Sequence, residues 1–134
     1  MKLKTCLVVD DSHADQILIA GLLSIGGFNV VPVYTSEAAW QWLKTHAPPQ
    51  LILLDIVMRQ GEVCGLALCR TIRKTSQFRK TPIIFCTSKQ REQDRFWALR
   101  QGANDYIVKP FSPNKLIDVA IYHTTKKNVL DEFI

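Results

Sequence analysis

The sequence predicts a doubly wound α/β domain, in which five parallel strands form one sheet and five helices cover its faces. Three observations favour this fold. Short apolar runs alternate with helical patterns along the chain. The runs are almost continuously apolar, as is typical of parallel strands that are buried on both faces. Gly, Pro and Ser residues separate the segments, and such residues mark turns and helix ends.

Length and composition are those of one compact domain. The chain has 134 residues, 47% of them hydrophobic, which is enough for a sizeable core. No stretch reaches the roughly 18 apolar residues of a membrane-spanning helix. The N-terminus leads directly into a strand and lacks the features of a signal peptide. We therefore expect a cytoplasmic protein with no membrane contact.

Charge and cysteine usage exclude two further classes. The net charge is +5, but the basic residues near 70–80 lack the interleaved aromatic residues of a single-strand nucleic-acid surface. We expect no direct binding to nucleic acid. The four cysteines form no CxxC pair, and no His lies at zinc-ligand spacing. Reduced thiols are the expected state.

Local signals place each element in turn. Strands are predicted over 4–10, 28–34, 51–55, 82–86 and 105–108, and helices over 14–24, 36–44, 65–74, 90–100 and 112–122. Gly26-Gly27 should end the first helix, Ser36 should cap the second, and Ser112-Pro113 should open the fifth. Pro32 predicts that the second strand lies at a sheet edge. Residues 125–134 are either a C-terminal tail or an extension of the last helix, beyond a domain that spans 1–124.

Polar residues follow four of the predicted strands. Asp10 and Asp11 end the first strand, Asp55 the third, Thr87 the fourth and Lys109 the fifth. Ligands of open α/β sheets bind outside the carboxyl ends of the strands, so these side chains should converge. Clustered carboxylates favour Mg²⁺ or Mn²⁺, and a metal-assisted carboxylate can act as a nucleophile toward phosphorus. A hydroxyl and an ammonium would then stabilise the phosphoryl oxygens.

Four motifs carry a resemblance to a known family. They are Val8-Val9-Asp10-Asp11-Ser12, Leu53-Leu54-Asp55, Thr87-Ser88 and Asp105-Tyr106-Ile107-Val108-Lys109-Pro110-Phe111. Over about residues 4–123 the chain resembles response-regulator receiver domains of the chemotaxis CheY type. The resemblance implies a flavodoxin-like sheet with strand order 2-1-3-4-5.

The resemblance also implies a role for each acidic residue. Asp55 would be the phosphoacceptor. Asp11 and Asp55 would bind Mg²⁺ or Mn²⁺ directly, with Asp10 acting mostly through water. The backbone carbonyl of Val57 would be a further metal ligand.

The remaining motif residues would complete the machinery. By the same resemblance, Lys109 binds the phosphoryl group, and the peptide bond between Lys109 and Pro110 is cis. Thr87 and Tyr106 would form a switch pair, in which Tyr106 moves toward Thr87 after phosphorylation.

Aromatic residues on the fourth helix suggest a partner surface. Phe96, Leu99 and Ala103 recur at helical spacing and are predicted to face the core. Trp97 and Arg100 lie off that stripe. An exposed Trp beside an Arg is typical of a partner anchor.

The leading interpretation is a single-domain response regulator and not an enzyme. It would take a phosphoryl group from a histidine kinase or a His-containing phosphotransfer protein, and then change its affinity for a downstream protein, as a monomer or weak dimer. Residues 94–103 resemble regulators of type IV pilus and phototaxis systems, the PilH/PilG type. A relay intermediate and a phosphate-independent scaffold remain alternatives. A haloacid-dehalogenase-like phosphatase would need a second Asp where Val57 stands.

Overall fold

The computed structural model describes residues 3–56 and 64–133, with side chains described in these ranges except at 64 and 126–133. Strands and helices alternate throughout. The strands are β1 (Lys4–Val9), β2 (Phe28–Val33), β3 (Leu51–Leu54), β4 (Ile83–Thr87) and β5 (Asp105–Val108). The helices are α1 (His13–Ile25), α2 (Ser36–Thr45), α3 (Cys64–Lys74), α4 (Glu92–Arg100) and α5 (Pro113–Phe133). A 3-10 turn over Ser76–Phe78 follows α3.

The strands form one parallel sheet in the order β2-β1-β3-β4-β5. Both the doubly wound fold and the strand order are therefore confirmed. Pro32 lies on β2, at one edge of the sheet, as its missing N–H predicts. This order puts β1 and β3 side by side in the middle of the sheet, so the residues that follow them are neighbours.

Alternation along the strands divides the core into two layers. Leu7 and Val9 of β1 face one layer, which the buried residues of α2, α3 and α4 complete. Cys6 and Val8 face the other layer, which α1 and α5 complete. Every residue of β3 is buried, because this strand has helices on both faces and strands on both sides. Burial on both faces fixes the direction in which each strand end points.

Local chemistry sets the helix ends. Ser12 caps α1 by accepting a hydrogen bond from the Asp15 N–H at 3.2 Å, and Gly27 ends it with a left-handed φ of +89°. Ser112 caps α5 as predicted. The predicted cap of α2 was wrong by one residue. The Thr35 hydroxyl accepts from the Ala38 N–H at 3.0 Å, and Ser36 is already helical, because the backbone leaves the extended region after Thr35.

The buried side of α4 also differs from the predicted one. Phe96 was predicted to be in the core, but 54% of it is exposed, while Ala98 is fully buried. Leu99 and Ala103 are half-buried. Ala98 lies about 200° around the helix from Phe96, so the side of α4 that meets the sheet carries a small residue. Three apolar positions were too few to define the buried side of so short a helix.

Candidate phosphoryl-transfer site

The predicted polar residues are held at the carboxyl edge of the sheet by continued strand hydrogen bonds. The Asp10 N–H donates to the Val33 carbonyl at 3.1 Å, and the Asp55 N–H donates to the Val9 carbonyl at 3.0 Å. The Lys109 N–H donates to the Thr87 carbonyl at 2.8 Å. Each residue therefore continues the ladder one step beyond its strand. Its side chain leaves the sheet at a fixed place.

Lys109 joins the acidic residues into one cluster. Its Nζ lies 2.6 Å from Asp10 Oδ2 and 3.2 Å from Asp55 Oδ2. A third carboxylate, that of Asp15 in the first turn of α1, is 2.8 Å from the same nitrogen. Asp11, which follows Asp10, is half-buried at the same edge. The structure thus brings Asp10, Asp55 and Lys109 together, as the sequence predicted, and adds Asp15.

Burial and the surrounding charges set the protonation of this cluster. Burial by itself would lower the pKa of Lys109, but hydrogen bonds to the Asp10 and Asp15 carboxylates outweigh it, so the pKa lies above its ordinary value. Burial raises the pKa of the Asp10 carboxyl, and the hydrogen bonds from Lys109 and from the Ser12 N–H oppose that rise. Lys109 is therefore a permanent cation at neutral pH. It faces oxygens that can bind a metal or a phosphoryl group.

Thr87 and Tyr106 meet at the backbone of Lys89. The Thr87 hydroxyl accepts from the Lys89 N–H at 3.4 Å, and the Tyr106 hydroxyl donates to the Lys89 carbonyl at 2.6 Å. Both side chains are buried, and burial raises the pKa of Tyr106 to about 12. The sequence predicts that Tyr106 follows Thr87 after phosphorylation, and that movement stays a prediction. In this structure the Tyr106 ring is buried, with its centroid 6.4 Å from that of the Phe85 ring.

Two supporting residues were missed from the sequence. Gln16 lies on the buried stripe of α1, and its amide nitrogen contacts the carbonyls of Val8, Asp10 and Val33 at 2.9–3.1 Å. It thereby ties the ends of β1 and β2 together. A glutamine at a core-facing helix position was the available signal. Asp15 was missed because its place three residues after Ser12 is that of a helix-capping acid.

The start of α3 packs closely against the end of β3, where Asp55 lies. The Gly65 N–H donates to the Ile56 carbonyl at 3.1 Å, and a Cβ on Gly65 would lie 1.9 Å from the Asp55 carbonyl oxygen. Only glycine permits this approach. Val57, the predicted carbonyl ligand, lies outside the described residues. The Lys109–Pro110 peptide bond is cis.

The predicted partner residues lie apart from this cluster, on α4. Trp97 is more than half exposed, and its ring meets the Phe96 ring edge-on at 5.6 Å. The Arg100 guanidinium lies over the same Phe96 ring at 5.4 Å. Phe96 thus joins Trp97 and Arg100 in one exposed group.

Fold and site together define a class of protein: a doubly wound α/β domain with an acidic, lysine-bearing site at the carboxyl edge of its sheet. The family model for the response regulator receiver domain matches residues 6–121. The chain belongs to the response regulator receiver domain family. It is thus a receiver domain of the two-component type, a class of signalling proteins whose members interact with histidine kinases and downstream targets.

Individual relatives support this membership. Chemotaxis protein CheY1 of Helicobacter pylori is 36% identical over 111 residues, which cover 82% of this chain and 88% of the relative. The probable transcriptional regulator ycf27 of Porphyridium aerugineum is 36% identical over 87% of this chain, but the chain spans only 46% of that relative. The crystal structure of NtrX from Brucella abortus matches with a TM-score of 0.86 and 30% identity, over 98% of this chain and 30% of NtrX. None of the helices in the described ranges has the length and hydropathy to cross a membrane.

Proposed function

We propose that this receiver accepts a phosphoryl group on Asp55 from a phosphohistidine partner and then changes its affinity for a downstream protein. One observation carries the proposal. The carboxylate of Asp55, directly after the central strand β3, lies 3.2 Å from the Lys109 ammonium, which Asp10 also binds. A nucleophile and a cation for the transferred group are thus side by side.

The phosphoryl transfer from the donor histidine needs no reagent besides water. An Asp55 carboxylate oxygen attacks the phosphorus, the new O–P bond forms, and the N–P bond to the donor imidazole breaks. The imidazole leaves with the electron pair of that bond and takes a proton from solvent. Lys109 faces the charge that develops on the phosphoryl oxygens, and Thr87 can donate its hydroxyl to one of them.

The carboxylates of this site suit Mg²⁺ only if water, a backbone carbonyl and phosphate oxygens supply the other ligands. Among the described residues, no three acidic, imidazole or thiol groups could hold a metal ion by themselves. Mg²⁺ commonly binds one or two carboxylates and takes its other ligands from water and phosphate oxygens. Asp11 and Asp55 would be those carboxylates, with Asp10 acting through water and Val57 giving its carbonyl. The ion would neutralise charge between the acceptor and the incoming phosphoryl group.

The proposal extends to a cellular role. The resemblance of residues 94–103 to pilus and phototaxis regulators supports a single-domain switch in such a system, acting in the cytoplasm as a monomer or weak dimer. The exposed group of Phe96, Trp97 and Arg100 offers the downstream protein an aromatic and cationic surface. A relay intermediate is the second candidate, because the same site can pass its phosphoryl group to another histidine.

Acetyl phosphate tests the proposal directly. With Mg²⁺, we expect wild type to gain one phosphoryl group by intact mass, and Asp55→Asn to gain none, because an amide cannot attack phosphorus. Chelation with EDTA should also prevent uptake. Asp118→Asn, which removes an exposed carboxylate on α5, is the matched control and should label like wild type. Equal labelling of Asp55→Asn would reject the assignment.

A further inference from the structure

Asp15 makes an ion pair that its position in α1 does not require. Ser12-His13-Ala14-Asp15 has the spacing of a capping box, in which the acid at the third helical position accepts from the N–H of the capping residue. Here the Ser12 N–H donates instead to Asp10 Oδ1, at 2.9 Å. The Asp15 carboxylate is directed to Lys109 Nζ at 2.8 Å. Of the two hydrogen bonds of a capping box, the one from the Asp15 N–H to the Ser12 hydroxyl forms, and the one from the Ser12 N–H to Asp15 does not. The Asp15 carboxylate belongs to the phosphoryl-transfer site.

Three carboxylates share the three hydrogens of the Lys109 ammonium. The distances are 2.6 Å to Asp10, 2.8 Å to Asp15 and 3.2 Å to Asp55, so the acceptor is the most distant partner. A phosphoryl oxygen that arrives on Asp55 needs one of these hydrogens. Asp15 is the partner that gives way most easily, because its side chain is 37% exposed, against 3% for Asp10 and 11% for Asp55. Water can solvate the carboxylate that is released.

The Asp15–Lys109 pair lies at a cavity in the surface. Both residues line a cavity of about 330 Å³ whose other walls include Leu18 of α1 and Phe111 after β5. An anionic donor that enters this cavity faces the Asp15 carboxylate beside the lysine, and Asp15 already engages that lysine. Asp15 therefore opposes the transfer both by its charge and by its hold on Lys109.

From this geometry we infer that Asp15 is a positioning residue that restrains Lys109 in the resting protein and slows phosphorylation of Asp55. This inference rests on the proposed function. With acetyl phosphate, an Asp55 oxygen attacks phosphorus, the P–O bond to the acetyl group breaks, and acetate leaves as an anion, so no proton is needed. Removal of the Asp15 charge weakens this hold on the ammonium, since a neutral amide oxygen is a poorer acceptor than a carboxylate, and the phosphoryl oxygens then compete better for the hydrogen.

The test compares Asp15→Asn with wild type in single-turnover labelling at saturating Mg²⁺. We expect Asp15→Asn to label about threefold to fivefold faster, the gain expected from release of a partly exposed ion pair. Asp15→Glu keeps the charge and should restore the slow rate. Glu37→Gln, in the exposed first turn of α2, makes the same change in net charge away from Lys109 and should behave like wild type.

A second readout does not depend on turnover. The affinity for beryllofluoride, followed by fluorine NMR, should rise about as much as the rate in Asp15→Asn, because this phosphoryl mimic also needs the lysine. Asp15→Gln replaces Asp15→Asn if circular dichroism shows that the latter has lost helix.

Each outcome decides the inference. The inference is supported if Asp15→Asn labels faster and binds beryllofluoride more tightly than wild type while Asp15→Glu and Glu37→Gln do not. Equal rates and affinities in wild type and the neutral variants overturn it and leave the proposed function intact. An equal gain in Glu37→Gln overturns it in favour of a general charge effect. If wild type takes up no phosphoryl group at all, the inference and the proposed function fall together.

Discussion

At Gly65 the backbone at the start of α3 approaches the end of β3 so closely that no side chain fits between them. The nearest atom is the carbonyl oxygen of Asp55, the residue on which the proposed chemistry depends. Neither partner can yield cheaply, because both atoms belong to backbone that is fixed by hydrogen bonds or by the sheet. A substitution here tests whether the exact place of Asp55 matters.

We predict that Gly65→Ala lowers the free energy of unfolding by about 2 kcal/mol, because the added methyl group must displace the backbone of β3 or α3. Phosphorylation of Asp55 by acetyl phosphate should slow as well. Gly21→Ala is the matched control, since a Cβ at exposed Gly21 meets nothing within 4 Å. That variant should gain about 1 kcal/mol from helix propensity. Urea titrations of both variants give the comparison, and equal stability of Gly65→Ala and wild type would contradict the packing argument.

At the scale of elements, Arg73 fastens the C-terminal end of α3 to the segment between α4 and β5. Its guanidinium donates to the carbonyls of Gly102 and Phe78 at 2.7 and 3.1 Å and to the Asn104 side chain at 2.7 Å. Gly102 ends α4 with a φ of +110°, and a Cβ there would lie 2.5 Å from Arg73 Cγ. Among the basic residues near 70–80, Arg73 is therefore half-buried and structural.

We predict that Arg73→Ala costs about 2 kcal/mol of stability, because two carbonyls and one amide lose a charged donor. Arg70→Ala removes an exposed arginine that donates to the Gln101 side chain, and it should cost less than about 0.5 kcal/mol. Thermal unfolding of the two variants checks this. The α3–α4 connection would not depend on Arg73 if both variants unfolded at the same temperature.

Across the whole molecule, the sequence predicted what depends on local pattern. Continuous apolar runs marked the strands, and the residues after them marked the site, because parallel strands must end at one edge. Asp15 and Gln16 could not be found in this way, since their roles depend on where α1 lies above the sheet. Phe96 was wrongly predicted to face the core for the same reason. Packing decides which side of a short helix meets the sheet, and the spacing of its apolar residues indicates that side only weakly.

The backbone of Lys89 links the phosphoryl-transfer site to the exposed group on α4. Lys89 is bonded through its N–H to Thr87 and through its carbonyl to Tyr106, so it connects the carboxyl edge of the sheet with β5 and the start of α4. A phosphoryl oxygen on Asp55 would recruit the Thr87 hydroxyl. The shift would pass through Lys89 to Tyr106 and to the exposed group on α4.

Hydrogen exchange with and without Mg²⁺ and beryllofluoride tests this central claim, a switch controlled from Asp55. We predict that amide protection changes most from Thr87 through α4, β5 and the start of α5, and hardly at all in α2. Asp55→Asn, treated in the same way, should show no change. If beryllofluoride binds, as fluorine NMR would show, and protection changes only in α1 and α2 or nowhere, the claim is contradicted.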